Sequence, residues 1–319
     1  RGAIETIDFM PLISADAVGG TILTDWYSTT NNENERCKLN IFITGIAGFL
    51  GANLSDYYIA KGFKVSGCDN LVGGSLDNID QSKIKFHQIN CEDLKSLSEA
   101  MKGVDVVCHA AAYAHEGLSS FSPTLICNNN VTGSVSVFTA AIKNNVKRVV
   151  YCSSMARYGD VKVPFKEDDK INPVDPYGVS KVAAENILKI LSKTHKFEYN
   201  IAVPHNIIGP KQTYTDPYRN VVAIMINRMK QGKPIVIYGD GTQKRSFSNV
   251  RDCIRAVEAI IDSDRNICGQ VYNIGPHDNE ISIKELAFKV GHHCSVYPNI
   301  EHFPDRPAEV KNAFCSSDK

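Results

Sequence analysis

The 319-residue sequence carries no excess of either charge, because Lys and Arg number 35 and Asp and Glu also number 35. This balance excludes the broad positive surface that binding to nucleic acid or to an anionic membrane requires. We therefore expect no nucleic-acid partner. Any anionic ligand must be held by a few cations placed at one site.

The sequence also lacks a hydrophobic run of membrane-spanning length, a basic-then-apolar signal pattern at its start, and any CxxC pair. A span needs about 20 apolar residues, so we expect no membrane contact. The ten cysteines are scattered, and several lie in apolar runs, as Cys108 does. Reduced, buried thiols of this kind are typical of a cytoplasmic protein. His292, His293 and Cys294 have no matching ligand cluster elsewhere, so no metal site is predicted.

Strand-like and helix-like segments alternate from residue 39 onward. Apolar runs predict strands, and 3.6-residue periods between several of them predict helices. This alternation predicts an α/β fold with a Rossmann-type doubly wound parallel sheet that is covered on both faces. The predicted strands are 39–44, 63–69, 84–89, 104–109, 147–153, 198–203, 235–238 and 271–274, and the predicted helices are 49 onward, 93–101, 122–144, 176–194, 218–231 and 250–262.

Composition divides the chain into three predicted parts. Residues 1–38 show no clear period and end in a polar stretch, so we expect an N-terminal extension that is foreign to the fold. Residues 39–205 are predicted to form the dinucleotide-binding Rossmann domain. Residues 206–319 are richer in Gly and Pro and are predicted to form a smaller substrate-binding α/β domain, of which 247–275 partly returns to the sheet. Both ends read as truncated.

A glycine-rich loop follows the first predicted strand, where Gly45, Gly48 and Gly51 form a GxxGxxG pattern. Glycines there let the backbone approach a pyrophosphate, whose charge meets the open N–H groups of a helix start. Asp69 ends the next strand, where a carboxylate can accept hydrogen bonds from ribose hydroxyls and repels a 2′-phosphate. The pattern therefore favours NAD over NADP. The alternative is that Asp69 only caps the turn before Asn70.

Tyr177 and Lys181 lie four positions apart, on one face of a predicted helix that Pro176 begins. A free tyrosine has a pKa of about 10 and is a poor base at neutral pH. A neighbouring ammonium group and the positive nicotinamide both favour its phenolate form. Ser154 ends a buried strand, and strand ends deliver side chains to the ligand crevice. Ser154, Tyr177 and Lys181 are therefore the predicted catalytic residues.

In this order, the glycine loop, the strand-end acid, the serine and the YxxxK pair resemble the extended short-chain dehydrogenase/reductases. Within them, the sequence is nearest to the NAD-dependent epimerase/dehydratase family of the UDP-glucose 4-epimerase kind. The resemblance covers about residues 39–319. Further matching segments are 68–71, 107–111, 129–133, 153–159, 205–210, 238–241, 272–275 and 306–307.

The resemblance implies an NAD-dependent epimerase that inverts a carbon of a UDP-hexose or UDP-N-acetylhexosamine through a transient 4-keto sugar. It implies NAD contacts by Gly45, Gly48, Phe49, Leu50, Gly51, Asp69, Asn70, Asn90, Cys91, Ala110, Ala111, Ala112, Asn130, Lys181 and His205. It also implies that Asn206, Arg245 and Arg306 hold the substrate diphosphate, which suits arginine because its planar donors match phosphate oxygens. Without the resemblance, Arg245 would be interpreted as a solvent-exposed charge at the start of a strand.

Several other functions stay open. The resemblance implies that a 4,6-dehydratase carries Thr-Asp-Glu at this strand end, whereas this chain has Ser154, Met155 and Ala156 there. A decarboxylase, a reductase and an epimerase acting at another carbon share the fold. A non-catalytic dinucleotide sensor is the alternative from a different class, although sensors often lose the tyrosine or the lysine. An inactive, incomplete chain is a third possibility.

Three further expectations come from the resemblance. Residues 113–116 depart from the usual family pattern, which leaves the local substrate contacts open. Ala313 stands where related epimerases limit space beside the 2-substituent of the sugar, so its small side chain predicts tolerance of N-acetylated hexosamines. The helices predicted at 122–144 and 176–194 would pair in a homodimer. Residues 1–38 resemble instead a bacterial envelope lipoprotein family of unknown function, up to about Asn40.

Overall fold

The computed structural model describes the chain from residue 39 to residue 319 with five short gaps, and two short segments before it. The described residues are 12–16, 21–24, 39–216, 218, 220–262, 267–276, 280–306 and 310–319. The early segments are two antiparallel strands, β1 (Leu12–Asp16) and β2 (Thr21–Thr24), which pair with each other. The rest of the predicted extension lies outside the described residues.

A seven-stranded parallel sheet forms the core and confirms the predicted fold class. Its strands are β3 (Asn40–Thr44), β4 (Lys64–Asp69), β5 (Lys85–Gln88), β6 (Val106–His109), β7 (Arg148–Cys152), β8 (Glu198–Pro204) and β13 (Val271–Ile274). The order across the sheet is β13-β8-β7-β6-β3-β4-β5. The strand order therefore reverses between β3 and β6, and an open parallel sheet binds its ligand in the crevice at such a switch point.

Helices cover both faces of this sheet, which explains why strands such as β7 are buried along their whole length. Those on or beside the sheet are α1 (Phe49–Ala60), α2 (Leu94–Ala100), α3 (Glu116–Ser119), α4 (Pro123–Cys127), α5 (Gly133–Lys143), α6 (Pro176–His195) and α8 (Val250–Asp262). α6 begins where the sequence predicts, because the Asp175 side chain accepts the Gly178 N–H at 2.8 Å and Pro176 occupies the first turn.

A smaller α/β unit lies after β8. Its elements are β9 (Ile207–Ile208), α7 (Val221–Lys230), β10 (Ile235–Tyr238), β11 (Lys244–Arg245), β12 (Ser248–Asn249), β14 (Ile281–Ser282), α9 (Ile283–Cys294), β15 (Ile300–Phe303) and β16 (Asn312–Ala313). Apolar residues of α7, β10 and α9, including Met225, Ile237 and Leu286, form its own core. In contrast, α8 packs on the main sheet and β13 is an edge strand of it.

Two predicted helices differ in the structure. The helix predicted over 122–144 is divided into α4 and α5 by a π-helical turn, Asn128–Thr132. The helix predicted over 218–231 begins at Val221, because the Asn220 side chain accepts the Val222 N–H at 3.0 Å and caps the helix there.

Candidate active site

A cavity of about 880 Å³ opens at the carboxyl ends of β3, β4, β6 and β7 and continues against the smaller unit. Its size lies at the upper end of the range of ligand pockets. It brings together most of the residues that the sequence predicts for the site. These are Gly45, Gly48, Phe49, Leu50, Gly51, Asp69, Asn70, Asn90, Cys91, Ala110, Ala111, Ala112, Ser154, Tyr177, Lys181, Asn206, Arg245 and Arg306.

The glycine loop is packed too closely for larger residues. Gly45 has φ +68°, and a Cβ on it would lie 2.9 Å from the Cα of Ala111. A Cβ on Gly51 would lie 2.2 Å from the Gly45 carbonyl oxygen. Gly48 precedes α1, and no side chain caps the helix start there. The open N–H groups and the positive end of the helix dipole therefore suit a pyrophosphate.

Asp69 serves both the turn and the cavity. Its carboxylate accepts the Ala47 N–H at 3.0 Å and the Leu71 N–H at 2.8 Å, and it lines the cavity wall. A carboxylate offers about four acceptor positions, so these two bonds leave room for ribose hydroxyls. The turn-capping reading and the ribose-binding reading are therefore compatible. The glycine cradle, the open helix start and this acid fit an adenine dinucleotide.

A directional hydrogen-bond chain fixes the cavity wall after β6. The Ser134 hydroxyl donates to the Asn130 carbonyl, so His109 must donate to Ser134 through Nε2 at 2.8 Å. The Nδ1 of His109 then accepts the Thr44 hydroxyl at 2.7 Å, and Thr44 accepts the Ala111 N–H. Burial lowers the pKa of His109 to about 3, which keeps this ring neutral and the chain intact.

Asn130, His205 and Ala313 stand apart from the main cavity wall. Asn130 is buried in the π-helical turn, where its side chain accepts the Tyr113 N–H at 2.8 Å and donates to Ser180 at 3.2 Å. It therefore orders the loop after β6 rather than facing the cavity. His205 is also buried, and burial lowers its pKa to about 3.

Ser154 and Tyr177 line the same stretch of cavity wall as Lys181. Ser154 caps a short 3-10 turn, Met155–Arg157, by accepting the Ala156 N–H at 3.2 Å. Tyr177 is 7% exposed and lies one helical turn before Lys181 on α6. The strand end of β7 and the first turns of α6 thus supply a hydroxyl, a phenol and an amine to one site.

Lys181 is buried, and its Nζ donates to the Cys152 carbonyl oxygen at 2.9 Å. The same Nζ lies 5.0 Å from the ring centroid of Tyr151 and 6.0 Å from that of Tyr177. Burial lowers the pKa of Lys181 to about 8, while the neighbouring Cys152 and Glu185 oppose this shift. The amine is therefore poised to be charged at neutral pH and to lose its charge in mild base.

The predicted diphosphate residues gather on the smaller unit. Arg245 and Ala313 are register partners across β11 and β16, and the Arg245 guanidinium donates to the carbonyls of Lys244, Val310 and Lys311. Asn206 is held by a bond from its side chain to the Ser246 carbonyl at 3.0 Å. The strand pairing explains why two residues separated by 68 positions meet here.

A second recess of about 60 Å³ is lined by Met155 and Ala156, and it shares Met155, Asn206 and Arg245 with the cavity wall. Ala313 and Arg245 form part of its wall. Because Met155 directly follows Ser154, this recess lies beside the predicted catalytic serine.

Arg306 lies over the ring of Tyr238, with its guanidinium carbon 4.0 Å from the ring centroid. A stacked guanidinium keeps its planar donors available at the ring edge. Sequence reasoning missed Tyr238 as its support and missed Arg228, a further cation of the cavity wall. Neither position carries a local signal, because the role depends on where α7 and β10 lie.

A second missed pair crosses the cavity. The Nε2 of His115 donates to Asp216 at 2.7 Å, and both residues line the wall. Asp216 also accepts the Tyr218 N–H at 2.9 Å. This contact joins the loop after β6 to the segment before α7. It also gives the unusual residues 113–116 a structural role, although 101 positions separate the two partners.

The described residues form neither a metal site nor a membrane-spanning helix. Within them, no three His, Cys, Asp or Glu side chains gather as ligands of a metal ion. None of the described helices is both long and apolar enough to cross a membrane.

Comparison with known proteins gives matches over most of the chain. A family model described as the NAD dependent epimerase/dehydratase family matches residues 41–275. A second model, described as a domain of unknown function (DUF3576), matches residues 1–49. The UDP-glucose 4-epimerase of Mycolicibacterium smegmatis is 30% identical over 286 residues, which is 86% of this chain and 89% of that protein.

Solved structures are similar over nearly the same region. The UDP-glucose 4-epimerase of Thermotoga maritima, solved with UDP-glucose, has a TM-score of 0.83 and 27% identity, covering 88% of this chain and 90% of its own. The UDP-glucuronic acid 4-epimerase of Bacillus cereus, solved with UDP-glucuronic acid and NAD, has a TM-score of 0.81 and 26% identity, covering 88% and 90%.

Proposed function

Since the chain belongs to the NAD-dependent epimerase/dehydratase family, we propose that it inverts C4 of a UDP-hexose or UDP-N-acetylhexosamine. The family predicted from the sequence is thereby confirmed. The single observation that carries the proposed activity is the presence of Ser154, Tyr177 and Lys181 on one wall of a cavity that also contains the dinucleotide cradle. A sensor that only binds a dinucleotide has no need of this set.

NAD would be held by the glycine loop and by Asp69. When bound, it would accept a hydride from the sugar carbon and later return it. Tyr177 takes the proton from the C4 hydroxyl, and Ser154 donates a hydrogen bond to the same oxygen. The resulting ketone is planar at C4, so either face can be reduced. Tyr177 then returns the proton to the oxygen, and the configuration at C4 is inverted if the sugar has turned over.

Lys181 supports this proton transfer in two ways. Its charge, close to the Tyr177 ring, favours the phenolate form. Its bond to the Cys152 carbonyl fixes the amine next to the end of β7, which Ser154 follows.

The keto sugar can turn over in the cavity only if its diphosphate is anchored and its ring is not. Arg245, Arg306 and Arg228 supply that anchor by charge and planar geometry.

The recess beside Ala313 bears on the sugar. Ala313 is 5% exposed and its methyl group fills little of the space behind Met155. A 2-acetamido group can therefore be accommodated beside the catalytic serine. This supports activity on N-acetylated as well as plain hexoses.

The proposed setting is a homodimer in the cytoplasm. Exposed apolar side chains on α4 and α6, Leu125, Val179 and Ile190, support pairing through these helices. The nine cysteines of the described residues are all free thiols, which supports a reducing compartment.

The test of the activity is Tyr177→Phe. Removal of the phenolic oxygen should lower turnover of UDP-galactose by a factor of about 1000 or more, because the proton transfer loses its base. NAD content, measured by mass spectrometry of the denatured protein, should stay at the wild-type level. Tyr297→Phe, on a ring that is 84% exposed, is the matched control and should keep full turnover. Wild-type activity in Tyr177→Phe would remove this tyrosine from the mechanism.

A further inference from the structure

A buried ion pair lies behind the catalytic residues and has no part in the mechanism above. The Nη2 of Arg157 is 3.0 Å from the Oε2 of Glu185, and the two side chains are 2% and 0% exposed. Burying such a pair costs several kcal/mol of desolvation per ion in general, and apolar residues of similar volume are often at least as stabilising. Stability alone therefore does not account for it.

Glu185 touches both elements that carry the catalytic groups. It lies on α6, one helical turn after Lys181 and two after Tyr177. Its carboxylate also accepts a hydrogen bond from the Ser153 hydroxyl, and Ser153 directly precedes Ser154. One carboxylate thus ties the end of β7 to the catalytic face of α6.

The partner of Glu185 extends this connection to the wall of the recess. Arg157 donates to the Tyr158 hydroxyl at 3.2 Å, and Tyr158 donates to the Asn273 side chain at 2.7 Å. The Asn273 amide in turn donates to the carbonyls of Phe165 and Ser316. The segment that carries Ala313 is therefore fixed to the same network.

We propose that Glu185 is a positioning residue, which fixes Ser154 relative to α6 and keeps Lys181 protonated beside Tyr177 at neutral pH. The inference rests on the proposed function and adds a residue outside the cavity wall to it. Its electrostatic part follows from the groups that face Lys181.

Four other titratable groups face Lys181, and three of them are neutral at working pH. Burial lowers the pKa of His109 to about 3 and raises the pKa of Cys152 to about 11. Burial also raises the pKa of Tyr151 well above its ordinary value. The fourth is Tyr177 itself. Cys152 and Glu185 are the two groups that oppose the loss of a proton by Lys181. Because the Cys152 thiol is neutral at working pH, the charge of Glu185 is the one that is present there.

The sign of the effect follows directly. Removing the charge of Glu185 lowers the pKa of Lys181 further below about 8. Lys181 is then neutral at a pH where the wild-type amine is charged, and the phenolate of Tyr177 loses its neighbouring cation. Turnover must therefore fall at a lower pH than in the wild type.

The experiment measures kcat for UDP-galactose from pH 6 to 10, in wild type, Glu185→Gln and Glu185→Asp. In the pH profile of Glu185→Gln, we expect the fall of kcat at high pH, the basic limb, to occur about one unit lower than in wild type. At a given pH on that limb, this corresponds to a tenfold loss of kcat. Glu185→Asp keeps the charge and should keep the limb near its wild-type position. Coincident basic limbs in wild type and Glu185→Gln would overturn the proposal.

Damage to a buried ion pair is controlled separately. Glu198→Gln removes the partner of Arg148, whose Nη2 lies 2.8 Å from Glu198 at the other end of the strands. This variant should lose stability without moving the limb. The double variant Arg157→Met with Glu185→Gln removes both charges of the pair, so no unpaired Arg157 cation remains. It should still move the limb to lower pH, although by less than the single variant does. An unmoved limb in the double variant also overturns the proposal.

Failure of the proposal and failure of the proposed function are distinguishable. If wild type turns over UDP-galactose and the limb is the same in all variants, only the role of Glu185 fails. If NAD-loaded wild type turns over neither UDP-galactose nor UDP-N-acetylgalactosamine at any pH, the proposed function fails and the role of Glu185 with it. Ultraviolet titration of the Tyr177 phenol, taken as the difference from Tyr177→Phe, should move in the opposite direction, to higher pH, in Glu185→Gln.

Discussion

Substitution of Gly51 by alanine tests the packing of the dinucleotide cradle. The added Cβ would lie 2.2 Å from the Gly45 carbonyl oxygen and 2.9 Å from the Cα of Ile46. Contacts under 3.0 Å are essentially never seen for a real Cβ, so α1 and the loop must separate by about 0.8 Å. Both contacts are with backbone atoms, which cannot turn aside as a flexible side chain would.

The expected cost has two components. Overpacking of this kind destabilises a protein by about 1–3 kcal/mol, which lowers Tm by roughly 1–5 °C for a chain of this size. Displaced N–H groups also lose charge-assisted bonds to the pyrophosphate, at about 1.5–3 kcal/mol each. The Kd for NAD should therefore rise by about 10-fold to 100-fold. Thermal unfolding without ligand and calorimetric titration with NAD measure the two components separately.

Gly48→Ala is the matched comparison, since its backbone, at φ −80° and ψ 177°, accepts any residue. A Cβ there would lie 3.1 Å from the Gly45 oxygen, a tight contact that needs a much smaller shift than the one at Gly51, so the loss of stability should be smaller than in Gly51→Ala. NAD should still bind weakly, because the methyl group stands where the pyrophosphate approaches the backbone. An unchanged Tm and an unchanged NAD affinity in Gly51→Ala would refute the packing argument.

Two further substitutions test the two ends of the cavity. Asp69→Asn removes the charge that favours ribose hydroxyls over a 2′-phosphate, so the ratio of NADP to NAD affinity should rise by about tenfold or more in binding titrations; an unchanged ratio would limit Asp69 to its turn. Ala313→Tyr places a ring where the recess holds about 60 Å³, so kcat/KM for UDP-N-acetylgalactosamine should fall by at least about tenfold relative to UDP-galactose. An equal loss on both sugars would count against the recess as the acetamido site.

The sheet and its cofactor loop were predictable because their signals are local. A buried run such as β7, or the sequence of Asp175 and Pro176 before α6, determines an element from its own residues. The glycine spacing is also a local signal, because each glycine packs closely against a neighbour within one turn or against the adjacent strand. These signals were sufficient to predict the fold class and the cofactor.

The features that sequence reasoning missed depend on contacts between distant parts of the chain. His115 meets Asp216, and Arg306 stacks on Tyr238, only because the smaller unit folds against the main sheet. The π-helical turn at Asn128–Thr132 has no local signal either, because three consecutive asparagines suit several turn types. The helical spacing places Glu185 one turn after Lys181, but it does not predict the ion pair with Arg157, which lies outside that helix.

The segment that carries Ala313 has a consequence for how the protein is made. Phe165 and residues 314–316 exchange backbone hydrogen bonds, with Phe165 N–H to Phe314 at 2.9 Å and Ser316 N–H to Phe165 at 2.8 Å. On the ribosome, the dinucleotide cradle and the catalytic helix emerge well before this segment does. The nascent chain can therefore form its cofactor site first, and the sugar pocket gains this wall only after residues 314–316 have been synthesised.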